Sequence, residues 1–226
     1  MKIKKTVVLM SLLFMFSGCA ALGIFRTAQY EFDQGLALFN RGKYEEAIPH
    51  FGRAIELDPD FARAHLYLGR SHLNLGKWRE AIVPLRTAMR LSPDEFKKEI
   101  VDVLLDALLH AGLFELKGGN FQDSIGFFRE ALDLQPQSAR AKNELAGALI
   151  GYGGALLSQG KMTDAVAAFK EALQLSPGDL GAYLGLARAL ISSGRFQEAL
   201  KVLQDATAIN PNNRDAQLLM KGLLGR

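Results

Sequence analysis

From residue 28 onward, apolar side chains return at intervals of three and four. The clearest runs are Phe32, Leu36 and Phe39; Leu66, Arg70 and Leu73; Leu109, Leu113 and Leu116; Ile150, Gly154 and Leu157; and Leu184, Arg188 and Ile191. Each is spaced i, i+4, i+7, which puts three positions on one face of an α-helix. Short polar breaks carrying Gly or Pro separate the amphipathic segments. The pattern predicts helices over 28–40, 43–57, 60–74, 77–91, 93–117, 120–134, 137–158, 161–175, 178–192, 195–209 and 212–223, and hence an all-α chain.

The breaks themselves repeat. Five prolines, Pro59, Pro93, Pro136, Pro177 and Pro211, are separated by 34, 43, 41 and 34 residues. Gly42, Gly76, Gly119, Gly160 and Gly194 follow with the same spacings. So do Gly35, Gly69, Gly112, Gly153 and Ala187, and the bulky series Tyr44, Trp78, Phe121, Met162 and Phe196. Two small-residue series keep the phase, Ala47, Ala81, Ser124, Ala165, Ala199 and Ala54, Ala88, Ala131, Ala172, Ala206. Between them stand Phe51, Leu85, Phe128, Phe169 and Leu203. Self-similarity at a fixed period marks a repeat array, in which each unit buries its apolar face only against its neighbours.

These seven series resemble the tetratricopeptide repeat, a 34-residue helix–turn–helix unit, over residues 28–213. The units read as 28–61, 62–95, 105–138, 146–179 and 180–213. Small residues let paired helices approach closely, and the bulky columns fill the space between units. The resemblance implies a right-handed superhelix, an α-solenoid whose concave face is lined by the first helix of each unit and takes up peptides. On that basis the partner-binding groove comprises Phe32, Leu36, Phe39, Leu66, Arg70, Leu73, Leu109, Leu113, Leu116, Ile150, Leu157, Leu184, Arg188 and Ile191. Some family members clamp a carboxylate with Lys and Asn in the first repeat; Phe32 and Leu36 occupy the comparable stripe here.

Two units are long. Ten residues separate Pro59 from Gly69, but nineteen separate Pro93 from Gly112 and seventeen separate Pro136 from Gly153. Neither Phe96–Leu104 nor Ala139–Leu145 contains Gly or Pro, so the additions, 96–104 and 139–145, read as extensions of first helices that pack side by side. Asp58, Ser92, Ser176 and Asn210 each precede a proline and are expected to cap the following helix. Pro49 and Pro84 fall about one turn inside second helices, where mild kinks are expected. Residues 214–226 read as a capping helix, with Leu218, Leu219 and Leu223 covering the last repeat while Arg214, Asp215 and Lys221 stay wet.

The first residues differ from all of this. Met1–Lys5 is basic, Thr6–Phe16 is apolar, and Ser17-Gly18 precedes Cys19. A basic stretch, a short apolar stretch and small residues before a cut describe a secretory signal over 1–18. The arrangement resembles the lipobox of bacterial lipoproteins, which implies lipidation of Cys19 and a short linker over 19–27. With Ala20 after the cysteine, the family's sorting rules imply the periplasmic face of the outer membrane. Thr6–Phe25 is also twenty residues without charge, long enough to cross a bilayer uncleaved, so an inner-membrane signal anchor stays open. Either way the remainder is exported.

Composition narrows the chemistry. Of 226 residues 49% are apolar and 23% charged, which excludes wholesale disorder. The formal charge of +3 comes from Lys2, Lys4 and Lys5; beyond residue 18 there are 24 basic and 24 acidic residues, which gives no support to nucleic-acid binding. A single cysteine excludes an intrachain disulfide and a cysteine zinc cluster. His65 and His72 share a helix face without a third ligand, and Gly151-Tyr152-Gly153-Gly154 follows a helical pattern and not a strand. No metal, cofactor or small-molecule substrate is expected. The resulting expectation is a non-catalytic, membrane-anchored scaffold for a protein partner that assists assembly of an envelope complex of the pilus or secretin type. An adaptor for cell-wall enzymes or peptidases is the alternative, and an enzyme using the extensions as a site is a further one.

Overall fold

The computed structural model describes residues 27–225, and among them the only regular structure is helical. The helices are α1 (Ala28–Phe39), α2 (Tyr44–Leu57), α3 (Ala62–Asn74), α4 (Trp78–Leu91), α5 (Asp94–Lys117), α6 (Phe121–Leu134), α7 (Ala139–Ser158), α8 (Met162–Leu175), α9 (Leu180–Ser192), α10 (Phe196–Ile209) and α11 (Arg214–Leu224). They form helix–turn–helix repeats of an α-solenoid, as the periodicity predicts. The chain divides into two compact units, up to Ile100 and from Val101, with the division inside α5.

The five turns within repeats share one construction. Gly42, Gly76, Gly119, Gly160 and Gly194 have φ between 69° and 76°, a region that L side chains rarely enter. In each, the residue after the glycine donates its N–H to the carbonyl five residues back, as Lys43 does to Leu38 at 3.0 Å and Lys161 to Leu156 at 2.9 Å. That is the Schellman ending, which satisfies carbonyls a helix terminus would otherwise leave open.

The turns between repeats differ from expectation. Asp58 and Asn210 do not cap the next helix. Their side chains accept the N–H of Asp60 (3.2 Å) and Asn212 (3.1 Å), which shapes the turn around the proline instead. Ser92, Ser176 and Asn210 close the preceding helix through their backbone N–H groups. The side-chain caps stand two or three residues later: Ser138 accepts from Ala141 N–H at 3.3 Å, Asp179 from Ala182 at 2.9 Å and Asn213 from Ala216 at 2.9 Å. A proline two residues ahead of the cap leaves room for one polar turn before the helix begins. α2 and α4 run unbroken through Pro49 and Pro84.

In the first unit α1 packs on α2, α2 on α3 and α3 on α4. Its core gathers Phe32, Ala47, Phe51, Ala54 and Ala64. A Cβ at Gly35 would meet the Phe51 ring, and one at Gly69 would overlap Leu85, so these glycines set the helix spacing. In the second unit consecutive helices from α6 to α11 pack in turn. Leu156, Val166, Phe169, Leu186 and Leu190 form one core cluster, and Ala187, Leu203, Ala206 and Ala216 a second beneath α11. Leu219 and Leu223 pack there as expected, but Leu218 is 57% exposed. Positions 219 and 223 lie four apart on the face of Ala216 and Met220, and Leu218 points about 100° away from them.

The additions are helical. α5 is 24 residues long and α7 is 20. Ile100, Leu104, Ala141 and Leu145 are buried. Phe96, placed by spacing on the stripe of Ile100, is 55% exposed.

Candidate functional site

Burial sorts the predicted stripe into two kinds of residue. Phe32, Leu66 and Leu109 are buried and act as core. Leu36, Phe39, Arg70, Leu73, Leu113, Leu116, Ile150, Leu157, Leu184 and Ile191 are half-buried, and Arg188 is exposed. Leu36 and Phe39 pack against the core cluster of the first unit, Ile150, Leu157 and Ile191 against one cluster of the second, and Leu184 against the other. Arg188 reaches Asp215 on α11 at 3.7 Å. Cys19, the expected lipidation site, lies outside the described residues.

Phe32 anchors an aromatic cluster in the first unit. Its ring centroid is 5.0 Å from Phe61, 5.6 Å from Tyr67 and 5.8 Å from Phe51, and Phe39 stands edge-on to Tyr44 and Tyr67 at 5.1 and 5.2 Å. Such tilted and edge-on pairs favour a fixed arrangement beyond the area they bury.

Beside this cluster, α3 and the first turns of α5 enclose a cavity of about 430 Å³ within the first unit. Leu66, Tyr67, Phe96 and Ile100 make its apolar walls, and Ser92 and Pro93 also line it. Arg70 Nη2 meets Glu99 Oε1 at 2.8 Å across it, and the Arg70 guanidinium sits 5.6 Å from the Tyr67 ring. Arg63 lies 4.7 Å from the Phe32 ring centroid at its edge.

Two features were not read from the sequence. The extension of α5 carries Phe96 and Glu99 to this cavity. Glu31, 1% exposed, is a buried carboxylate whose Oε2 accepts from His50 Nδ1 at 2.8 Å and Arg53 Nε at 3.1 Å. With the His50 proton on Nδ1, the 3.0 Å approach of Arg53 Nη2 to that nitrogen is a packing contact between two donors. Burial pushes the Glu31 carboxyl up, but the hydrogen bonds from His50 and Arg53 and their charge outweigh it, and its pKa falls below the usual range. The signal was available: Glu31 is four residues before Gly35 and so lies on the face that meets α2, where an acid requires a partner.

The histidines stay separate. His65 Nε2 is 2.9 Å from the Pro59 carbonyl, and burial holds the His72 imidazole below its usual pKa, with Nδ1 buried and without a hydrogen bond among the described residues. Among the described residues no three His, Cys, Asp or Glu side chains are placed to hold a metal ion, and no helix is long and apolar enough to cross a membrane.

Comparison with known proteins agrees with the repeat reading. Residues 35–76 match a TPR repeat family model, and residues 156–223 match a tetratricopeptide repeat model. Those two segments therefore carry tetratricopeptide repeats. It is 31% identical over 91 residues, 40% of its length, to a peroxisomal targeting signal receptor of Candida glabrata, and it spans only 15% of that receptor. Among solved structures it is similar to a TPR repeats protein of Bacteroides fragilis, at 14% identity with a TM-score of 0.60, over 88% of this chain and 98% of that one. A thermophilic TPR protein of Thermus thermophilus aligns at 22% identity with a TM-score of 0.36, over 88% of this chain and all of the other.

Proposed function

We propose that this protein is a non-catalytic interaction scaffold, held to a membrane by lipid on Cys19 and facing the periplasm, that assists assembly of an envelope complex of the pilus or secretin type. The observation that carries the reading is the recurrence of half-exposed apolar side chains on successive first helices, Leu36 and Phe39, Leu73, Leu113 and Leu116, Ile150 and Leu157, Leu184 and Ile191. Apolar surface repeated in register along an array is the surface a partner segment covers. The basic, apolar and small-residue order of residues 1–18 supports export, and a cysteine carrying two or three acyl chains anchors stably.

The test is cross-linking in envelopes followed by pull-down of wild type, Cys19→Ser and a Leu113→Asp, Leu116→Asp double variant. Wild type should bring down one envelope component, and Cys19→Ser should leave the membrane fraction. The double variant should lose the partner while keeping its helical circular dichroism. Unfolding of that variant would make the pair core residues, and an undiminished partner with retained fold would remove the groove from the reading.

A further inference from the structure

The extra turns at the start of α5 complete a compartment that a repeat of ordinary length would leave open. Phe96, Glu99 and Ile100 all fall in the nine residues added between Pro93 and Gly112, and all three line the cavity against α3. At about 430 Å³ it lies within the roughly 300–1,000 Å³ span of ligand pockets, room for a large side chain and its backbone.

Its polar groups are unequal. Arg70 is committed to Glu99, whereas Arg63 stacks on Phe32 and has no ion-pair partner among the described residues. Stacking against the ring fixes the guanidinium at the cavity edge, so less freedom is lost when it receives an anion. Phe96, an aromatic side chain 55% exposed, stands in the wall beside it. A purely acidic segment would leave Leu66, Tyr67 and Phe96 in water, and a basic segment would meet Arg63 with like charge.

We infer that this cavity is the anchor subsite of the scaffold, and that it takes a Leu-, Ile- or aromatic-sized side chain of a partner segment with a carboxylate side chain one or two residues away, bound by Arg63. The inference rests on the scaffold reading and adds to it the chemistry of the partner. The apolar side chain leaves water against Leu66 and Phe96, and the adjacent acid supplies the charge that Arg63 lacks.

The probe is a random heptapeptide library displayed on phage, panned against the full-length protein in lipid nanodiscs. Enriched sequences should pair Leu, Ile, Phe or Trp with Asp or Glu within two positions. A synthetic enriched peptide should bind Arg63→Glu and Phe96→Asp at least ~10-fold more weakly than wild type, about the size expected for losing one charge-assisted contact. Lys201→Glu, on an exposed site of α10, should bind as wild type. Both cavity residues are exposed, and thermal melts establish that each variant folds; if Arg63→Glu does not, Phe96→Asp decides alone. Enrichment of basic or acid-free peptides, undiminished binding by the cavity variants, or no enrichment would overturn the inference. Self-association that Phe96→Asp abolishes would make a second copy the occupant and would also overturn it. A peptide bound equally by the cavity variants but lost in the Leu113→Asp, Leu116→Asp variant would overturn the subsite while leaving the scaffold in place.

Discussion

The two compact units use one repeat pattern and fill it with different matter. In the first, Phe32, Phe51, Phe61 and Tyr67 meet ring against ring, and a carboxylate, Glu31, is buried next to them under His50 and Arg53. In the second, the space is taken by alanines and by rings set onto glycines: Phe128 over Gly112, Phe121, which also lies 6.4 Å from the Tyr152 ring, over Gly151, and Phe169 over both Gly153 and Gly185. A methyl group at Gly185 would overlap the Phe169 ring. The repeat thus specifies where bulk and smallness must alternate, and leaves open whether a ring set onto a glycine also joins a larger aromatic cluster, as Phe51 over Gly35 does, or stands as a wedge, as Phe169 does. A cluster shares its load among several contacts. A wedge between two helices concentrates it in one side chain, because close-packed interiors relax only partly around a void.

The comparison would break most visibly at Phe169. Phe169→Ala should cost ~3–5 kcal/mol, seen in hydrogen exchange as lost protection across α7 to α10, because the buried ring packs against both Gly153 and Gly185. Gly185→Ala should also destabilise the second unit, and should cost much less in a Phe169→Leu background; equal costs would show that the ring is not the obstacle.

The buried carboxylate Glu31 gives the first unit a dependence on acid. Glu31→Ala should cost ~1–3 kcal/mol, since it removes the acceptor of two charge-assisted hydrogen bonds. The folded pKa of Glu31 lies below its usual value of 4.5, so its contribution is complete above that value and is lost as the pH falls through the lower folded pKa. Denaturation followed between neutral pH and pH 3 should show this slope in wild type and a smaller one in Glu31→Gln. An identical slope would mean that the triad contributes nothing.

The turn glycines should behave alike in both units. Gly42→Ala and Gly160→Ala have no neighbour within 4 Å to clash with, so each should cost only the left-handed backbone penalty of ~1–2 kcal/mol. Smallest, and opposite in sign, are Gly147→Ala and Gly154→Ala on α7. Both are exposed helical positions with nothing within 4 Å of an added Cβ, and each should raise stability by ~0.5–1 kcal/mol. If either destabilises, that face of α7 is covered in solution.

The sequence by itself determined the helices, their order and the turns. An i, i+4, i+7 pattern and a glycine in phase with a proline are local signals, and the five glycines at φ near 70° show that the chain obeys them locally. It also determined that two first helices are long, because nine or seven residues without Gly or Pro continue a helix more easily than they loop. Only the tertiary structure decided which stripe residues remain open to water. Phe32 and Leu36 share a face by spacing, yet one is buried and the other half-exposed, because burial depends on what neighbouring helices bring to each side. In the same way Phe96 and Ile100 lie one turn apart on α5, but Ile100 is covered and Phe96 stands in the wall of a cavity beside Leu66 and Tyr67. Glu31 found His50 and Arg53 nineteen and twenty-two residues away. Periodicity records the angle of a side chain about its own helix axis and carries no information about what stands opposite, and that is decided when the helices pack.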